Sequence, residues 1–362
     1  MKLSSTRCSL LLCTLLLPSI AAYAQSSHSP DKPMKEDGST IRVDTDLVSV
    51  EAAVTDKHGA NARALDADDF VIYEDGVAQR ISNFATTDIP FNVVIVIDTS
   101  GSTRDDVQLM KKAARRFLNE LRPGDRVAVV AFNESVQLLT HLTSDRNRVE
   151  RALGLLEPGS GTAFYDALHI TVDAVLGKVP GRKAIVVLTD GVDSFGSYTF
   201  ERLRPELEKA NTAAYFLELN TENFTEAGLL RSCSDRAHFR FSNKQLRKYY
   251  DSVERTRAEQ PSDHCLLPAD ERRRINQRLY EMARSEMNQI ADRTGGRVVP
   301  VSDIQQLEPA YAQIAAELRT QYSLGYYPTN DAHDGKWRSL RVEVKRPGLI
   351  ARAKPGYRAP VE

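Results

Sequence analysis

Asp98, Ser100 and Ser102 stand at alternating positions in the run Asp-Thr-Ser-Gly-Ser. They follow Phe91–Ile97, a mostly apolar stretch without charge, the pattern of a strand buried on both faces of a parallel sheet. One carboxylate and two hydroxyls are thereby placed in a tight loop at the carboxyl end of a core strand, where ligands sit in open α/β sheets. All three side chains are hard oxygen donors, which suit Mg²⁺ or Ca²⁺ rather than zinc. Taken alone, Ser102 also reads as a plain helix cap, because Ser after a strand commonly opens the next helix.

The elements that must position this loop alternate between strand and helix, which implies a parallel sheet. Val107, Met110, Ala114, Phe117, Leu118 and Leu121 recur with helical spacing and stop at Pro123-Gly124. Arg126–Phe132, Lys183–Asp190, Thr212–Leu219 and Gly296–Val301 read as further strands, with Val136–Leu139 at an edge. Helices are expected at 146–156, 162–176 and 304–318. Residues 221–280 break the alternation and read as a charged, mostly helical insertion.

On either side of this unit the pattern changes to alternating β. Val48, Val50, Ala52 and Val54 share one face, and Glu74-Asp75-Gly76 joins Phe70–Tyr73 to Val77–Phe84 as a hairpin. Downstream, 322–327 is aromatic-rich, and Leu340, Val342 and Val344 alternate with charged residues. Neither terminal piece is large enough for a core of its own. The two are therefore expected to pair into one accessory β-sandwich-like unit around an inserted α/β domain. The fold class expected is α/β, a doubly wound, mostly parallel, Rossmann-like sheet with that β unit. The expected divisions are a signal peptide (1–24), a disordered linker (25–40), an N-terminal β unit (41–89), the α/β domain (90–320) and a C-terminal β segment (321–362).

Thr162 in Gly161-Thr162 and Asp190 in Thr189-Asp190-Gly191 add to Asp98, Ser100 and Ser102. The five together resemble the von Willebrand factor A-type domain, the family that includes integrin inserted domains. The resemblance spans roughly 90–320 apart from the insertion, and all five positions match. It implies a metal site in which Ser100, Ser102 and Thr162 coordinate directly and Asp98 and Asp190 hold bound waters. A cation with few protein anions around it keeps an appetite for an outside carboxylate. The implied partner is therefore a protein presenting Asp or Glu, gripped through Mg²⁺, with Mn²⁺ and Ca²⁺ not separated by sequence. Asp56-x-x-Gly59, Asp69-Phe70 and Tyr322-x-Leu324-x-Tyr326-Tyr327 also look like exported bacterial proteins with such domains.

Export is expected from the first residues as well. Lys2 and Arg7, the apolar run Leu10–Leu17 and Ala22-Tyr23-Ala24 form the pattern of a cleavable secretory signal. Periplasm, cell surface and medium are not distinguished, and no membrane span is expected in the mature chain. Loss of Lys2 and Arg7 would move the net charge from −1 to −3, a near-balance that gives no support for nucleic-acid binding. Cys8 and Cys13 would leave with the signal. Cys233 and Cys265 then form the expected disulfide, worth ~3–4 kcal/mol by loop entropy. A zinc alternative would recruit His238 and His264, but no CxxC spacing is present.

Catalysis is not expected. A phosphotransferase of the haloacid-dehalogenase type carries a second Asp two residues after the nucleophile, and Ser100 occupies that position here. The chain has no Gly-x-Ser-x-Gly elbow and no Gly-x-x-x-x-Gly-Lys phosphate loop. The reading is an exported metal-dependent protein-binding module for adhesion or scaffolding. A metal-dependent phosphohydrolase using Asp98 and a purely structural envelope protein stay open as alternatives.

Overall fold

A computed structural model of the chain describes residues 47–86, 90–231, 239–253 and 263–361. Strand β1 (Val48–Asp56) buries the alternating set Val48, Val50, Ala52 and Val54. Strands β2 (Phe70–Glu74) and β3 (Val77–Gln79) form a hairpin. At its turn Asp75 and Gly76 take φ values of 46° and 82°, the two positive angles that a two-residue turn of this hand requires. The run 77–84 is divided rather than continuous. β3 ends at Gln79, and β4 (Ile81–Ala85) pairs in a different sheet, so the chain changes sheets at Arg80.

The α/β unit begins with β5 (Phe91–Asp98), in which every residue is buried. It continues through α1 (Val107–Glu120), β6 (Arg126–Phe132), β7 (Val136–Thr143), α2 (Arg146–Gly154) and α3 (Phe164–Ile170). Then come β8 (Arg182–Thr189), α4 (Phe200–Lys209), β9 (Ala213–Leu219), α5 (Glu222–Arg231), α6 (Asn243–Ser252) and α7 (Ala269–Thr294). Strand β10 (Arg297–Val301) and helix α8 (Leu307–Leu318) close it. The sheet order is β10-β9-β8-β5-β6-β7, parallel throughout except for β7 at one edge.

The two-residue period of the strands sorts their side chains into two cores. Val93, Ile95 and Ile97 of β5 meet Met110, Phe117, Val149 and Tyr311 from α1, α2 and α8. Val94 and Val96 meet Phe164, Leu203, Met287 and Ile290 from α3, α4 and α7. Each large aliphatic side chain buried this way contributes ~1.5–3 kcal/mol against exposure. A sheet clamped on both faces holds the carboxyl ends of β5 and β8 in fixed register, and those ends carry the candidate site.

The insertion is helical, but its last helix is not confined to it. Helix α7 runs unbroken past residue 280 to Thr294, where Gly295 caps it at φ 77°. Ile275 and Leu279 pack in a small core with Leu246, Tyr250 and Leu267, whereas Met287, Ile290 and Ala291 pack on the main sheet. One rod therefore belongs to both.

The remaining strands are β11 (Tyr322–Tyr326), β12 (Trp337–Val344), β13 (Leu349–Arg352) and β14 (Gly356–Arg358). They interleave with the N-terminal strands as sheets β13-β1-β11-β4 and β14-β12-β2-β3. Val50 faces Leu324 across one antiparallel pair, and Ile72 faces Val342 across the other. Both faces share a core of Val50, Phe70, Ile72, Leu324, Tyr326 and Val342. The terminal segments thus form one β unit around the α/β unit, as the alternating patterns require. Arg182, buried at the start of β8, donates from Nε to Glu51 of β1 at 3.0 Å and ties the two units together.

Candidate metal site

Asp98 ends β5 completely buried. One carboxylate oxygen accepts the Ser100 backbone N–H at 2.9 Å, which folds the loop back on itself. The other accepts the Thr189 hydroxyl from the end of the adjacent strand β8 at 2.6 Å. Thr103 donates its hydroxyl to the carbonyls of Asp98 and Ser100, at 3.1 Å each, and so fixes the turn from below. The Ser100 and Ser102 hydroxyls lie 3.3 Å apart on the open side.

The loop carrying Thr162 is stitched to this turn through the backbone. Gly159 N–H donates to Thr99 O at 2.7 Å, and Gly101 N–H to Ser160 O at 3.4 Å. A Cβ at Gly101 would stand 3.3 Å from Ser160 O, tight enough to explain the glycine between the two serines. Glu134, just after β6, gathers the Ser160 N–H, the Ser160 hydroxyl and the Gly161 N–H at 2.8, 2.7 and 3.0 Å. These donors hold its carboxyl down to about 2. Thr162 is bonded in turn to the loop after β8. Its N–H donates to the Ser194 hydroxyl at 2.9 Å, and its carbonyl accepts the N–H groups of Ser194 and Phe195.

Asp190 joins the site to the insertion. Its Oδ2 accepts the Ser102 hydroxyl at 2.8 Å, the Thr221 hydroxyl at 2.5 Å and the Tyr280 hydroxyl at 3.4 Å. Its Oδ1 accepts the Val192 N–H at 3.0 Å. Tyr280 also lies 2.8 Å from the Thr221 hydroxyl and 2.9 Å from that of Thr225. Residues just beyond β9 and on α7 thus complete the setting of a carboxylate that ends β8.

Ser100, Ser102, Thr162 and Asp190 line one small cavity of about 80 Å³, with Asp98 beneath them. All five expected positions are brought together. Sequence reading missed Glu134, Thr189, Thr221 and Tyr280. The first three lie at or just past the carboxyl ends of β6, β8 and β9, so the strand-end rule that singled out Asp98 was the available signal. Tyr280, inside a helix read as insertion, carried none. Asp193, in the loop after β8, is buried. It accepts the Phe164 N–H at 2.9 Å and pairs with Lys244 at 2.5 Å.

Burial, and then the neighbouring Asp190 charge, raise the Asp98 carboxyl to about 7. Asp98 and Asp190 therefore lie close together beside three hydroxyls, and Arg240 also lines the cavity. The donor set is all oxygen, as Mg²⁺ or Ca²⁺ requires. Among the described residues no three His, Cys, Asp or Glu side chains gather at one point, so any cation here depends on the hydroxyls. His264 is buried edge-on against Phe241 at 5.1 Å. The Cys233–Cys265 pairing and His238 lie outside the described residues, because Cys233 and His238 do.

Comparison with known proteins bears on the family of this unit. Residues 93–192 match the family description of the von Willebrand factor type A domain. The chain therefore carries a von Willebrand factor A-type domain match over residues 93–192, within an α/β unit of the sheet order given above. An uncharacterized protein of Synechocystis is 30% identical over 112 residues, 30% of this chain and 27% of that protein. A UPF0353 protein of Mycobacterium bovis is 31% identical over 132 residues, 30% of this chain and 39% of that protein. The chain thus spans well under half the length of these curated relatives. Among solved structures, a von Willebrand factor type A protein from Catenulispora acidiphila aligns at 15% identity with a TM-score of 0.43. That alignment covers 81% of this chain and 73% of the other.

Proposed function

We propose that the chain is a metal-ion-dependent protein-binding module that grips an acidic residue of a partner protein at this site. The observation that carries the reading is the gathering of the Ser100, Ser102 and Thr162 hydroxyls and the Asp190 carboxylate around one cavity, with Asp98 buried beneath them. Ser100, Ser102 and Thr162 would hold Mg²⁺ directly, or Mn²⁺ or Ca²⁺, while Asp98 and Asp190 orient them and the bound waters. A cation held so supplies positive charge for a carboxylate from outside. Asp190 holds the Ser102 hydroxyl in place, and the Thr189 hydroxyl keeps Asp98 aimed at the loop. Export is proposed on the signal-like residues 1–24, and among the described residues no helix is long and apolar enough to cross a membrane.

Binding rather than turnover is supported by the state of Asp98. A nucleophilic carboxylate needs an oxygen exposed to the reacting phosphorus, whereas here both oxygens are buried and occupied by donors. The test is thermal melting of the full chain with and without Mg²⁺, beside Thr162→Ala. Selective binding to the native state raises stability by ~2.7 kcal/mol at a hundredfold excess over Kd. A Mg²⁺-dependent rise in Tm that Thr162→Ala abolishes supports the module. Absence of that rise in the unaltered chain counts against it, as does phosphate-ester turnover that Asp98→Asn removes.

A further inference from the structure

The metal-site cavity does not end at its hydroxyls. Gly101, Ser160 and Phe239 line it, and the same three line a second cavity of about 170 Å³ whose other walls are Arg104, Asp105 and Phe224. Phe224 and Phe239 meet edge to face with centroids 5.4 Å apart. Phe195 lies over Gly161, where an added Cβ would come within 3.1 Å of its ring, and its N–H holds the Thr162 carbonyl.

These rings are not buried as core aromatics are. Phe195 is 53% exposed and Phe224 49%, and they are the two phenylalanines among the exposed large apolar side chains of the described residues. Both therefore stand at the rim of one site. Exposed aromatics and arginine around a recessed polar centre are the composition that distinguishes interaction hot spots from ordinary surface. Arg104 donates to Gly159 O at 3.4 Å and forms no ion pair among the described residues, which leaves its charge available to a partner. Asp105 beside it disfavours a second acidic group on that side.

We propose that Phe195 and the Phe224–Phe239 pair are the apolar arms of a peptide-docking surface centred on the metal site. The occupant is a partner-protein segment with one acidic side chain flanked by bulky apolar side chains. The carboxylate enters the centre, and its neighbours settle on the phenylalanines. The surface rests on the metal-site reading above and adds to it the flanking specificity. That specificity comes from the loop after β8 and from the insertion.

The experiment pans a random peptide library against the full chain in Mg²⁺ and in EDTA. Selected peptides are then measured on the unaltered chain and on Phe195→Ser and Phe224→Ser. Calorimetric Mg²⁺ affinity and Tm are followed for all three. The expected result is enrichment, in Mg²⁺ alone, of peptides with an acidic residue next to apolar ones. Each serine variant weakens them by about tenfold or more while Mg²⁺ affinity and Tm hold. Acidic peptides without apolar neighbours, or peptides indifferent to both variants, overturn the docking surface and leave the metal site standing. No enrichment by a chain that does bind Mg²⁺ overturns it also. Loss of saturable Mg²⁺ binding in the unaltered chain removes the centre and with it both readings. Self-association of the chain that the same substitutions abolish assigns the rim to a second copy and overturns the peptide.

Discussion

The Ser102 hydroxyl donates to Asp190 Oδ2 at 2.8 Å across 88 residues of sequence, from the loop after β5 to the loop after β8. Parallel pairing of those strands brings the two loops to one edge of the sheet. The same oxygen accepts Thr221 and Tyr280, so the insertion also grips it. Asp190→Ala removes the acceptor of this buried cluster at once. We expect loss of stability by about 1–3 kcal/mol and loss of saturable Mg²⁺ binding, read by chemical denaturation and calorimetry.

Of the five site positions Tyr280 and Thr221 bond only to Asp190, so they act as positioning residues, with Tyr280 also lining the cavity. Tyr280→Phe keeps the ring in its packing and deletes one donor. The expected outcome is a stability loss of ~1 kcal/mol with Mg²⁺ affinity weakened severalfold. Double substitution with Thr221→Val should be non-additive in affinity, since both donate to one oxygen. Unchanged affinity in both single variants would show that the insertion merely covers the site.

Glu134 sets the 160–161 loop through three donors without lining the metal-site cavity. Glu134→Ala should lower Mg²⁺ affinity with little change in Tm, because the side chain is exposed and surface interactions contribute little to stability. An equal loss in affinity and Tm would mean that the loop is needed for folding rather than for geometry.

Burial raises the Asp193 carboxyl to about 6, against the opposing pull of Lys244, the Tyr165 N–H and Lys248; Lys248 itself pairs with Glu286. A carboxyl raised in the native state binds its proton more tightly there than in the unfolded chain. Its contribution to stability is fully present below the ordinary carboxylate range and is lost as pH rises through about 6. The size is about 3 kcal/mol. Between pH 4 and 7 the Tm of the unaltered chain should therefore fall relative to that of Asp193→Asn. Parallel curves would contradict it.

Arg182 supports the junction of the two units. It stacks over Phe91 at 3.9 Å, bonds Glu51 and reaches Leu318 O and Gln321. Glu51→Ala leaves a buried guanidinium without its counter-charge, a change that costs ~3–5 kcal/mol in buried pairs. The remaining two acceptors place the expectation at the lower end. Denaturant melts should show that loss while Mg²⁺ affinity per folded molecule stays the same.

Much of this was legible in the chain because two periods are unmistakable in it. Alternation in Val48–Val54 and Leu340–Val344 foretold a shared sandwich core, and the uncharged run after Phe91 foretold a central strand. The break at Arg80 was not legible, since Val77–Phe84 has no proline or glycine to mark a change of sheet. The site followed similarly. Asp98, Ser100 and Ser102 announce themselves by clustering, and Thr162 and Asp190 by resemblance. Thr221 and Tyr280 lie far apart in sequence and meet only because α7 runs on from the insertion to the main sheet. Long-range hydroxyl contacts of that kind leave no local pattern.

The most direct test is calorimetric titration of the full chain with Mg²⁺ and Mn²⁺, beside Ser100→Ala and Thr162→Ala, with Tm measured for each. The account predicts saturable binding by the unaltered chain and its loss in both variants, each still folded. No saturable binding by the unaltered chain, or undiminished affinity in both variants, would contradict it.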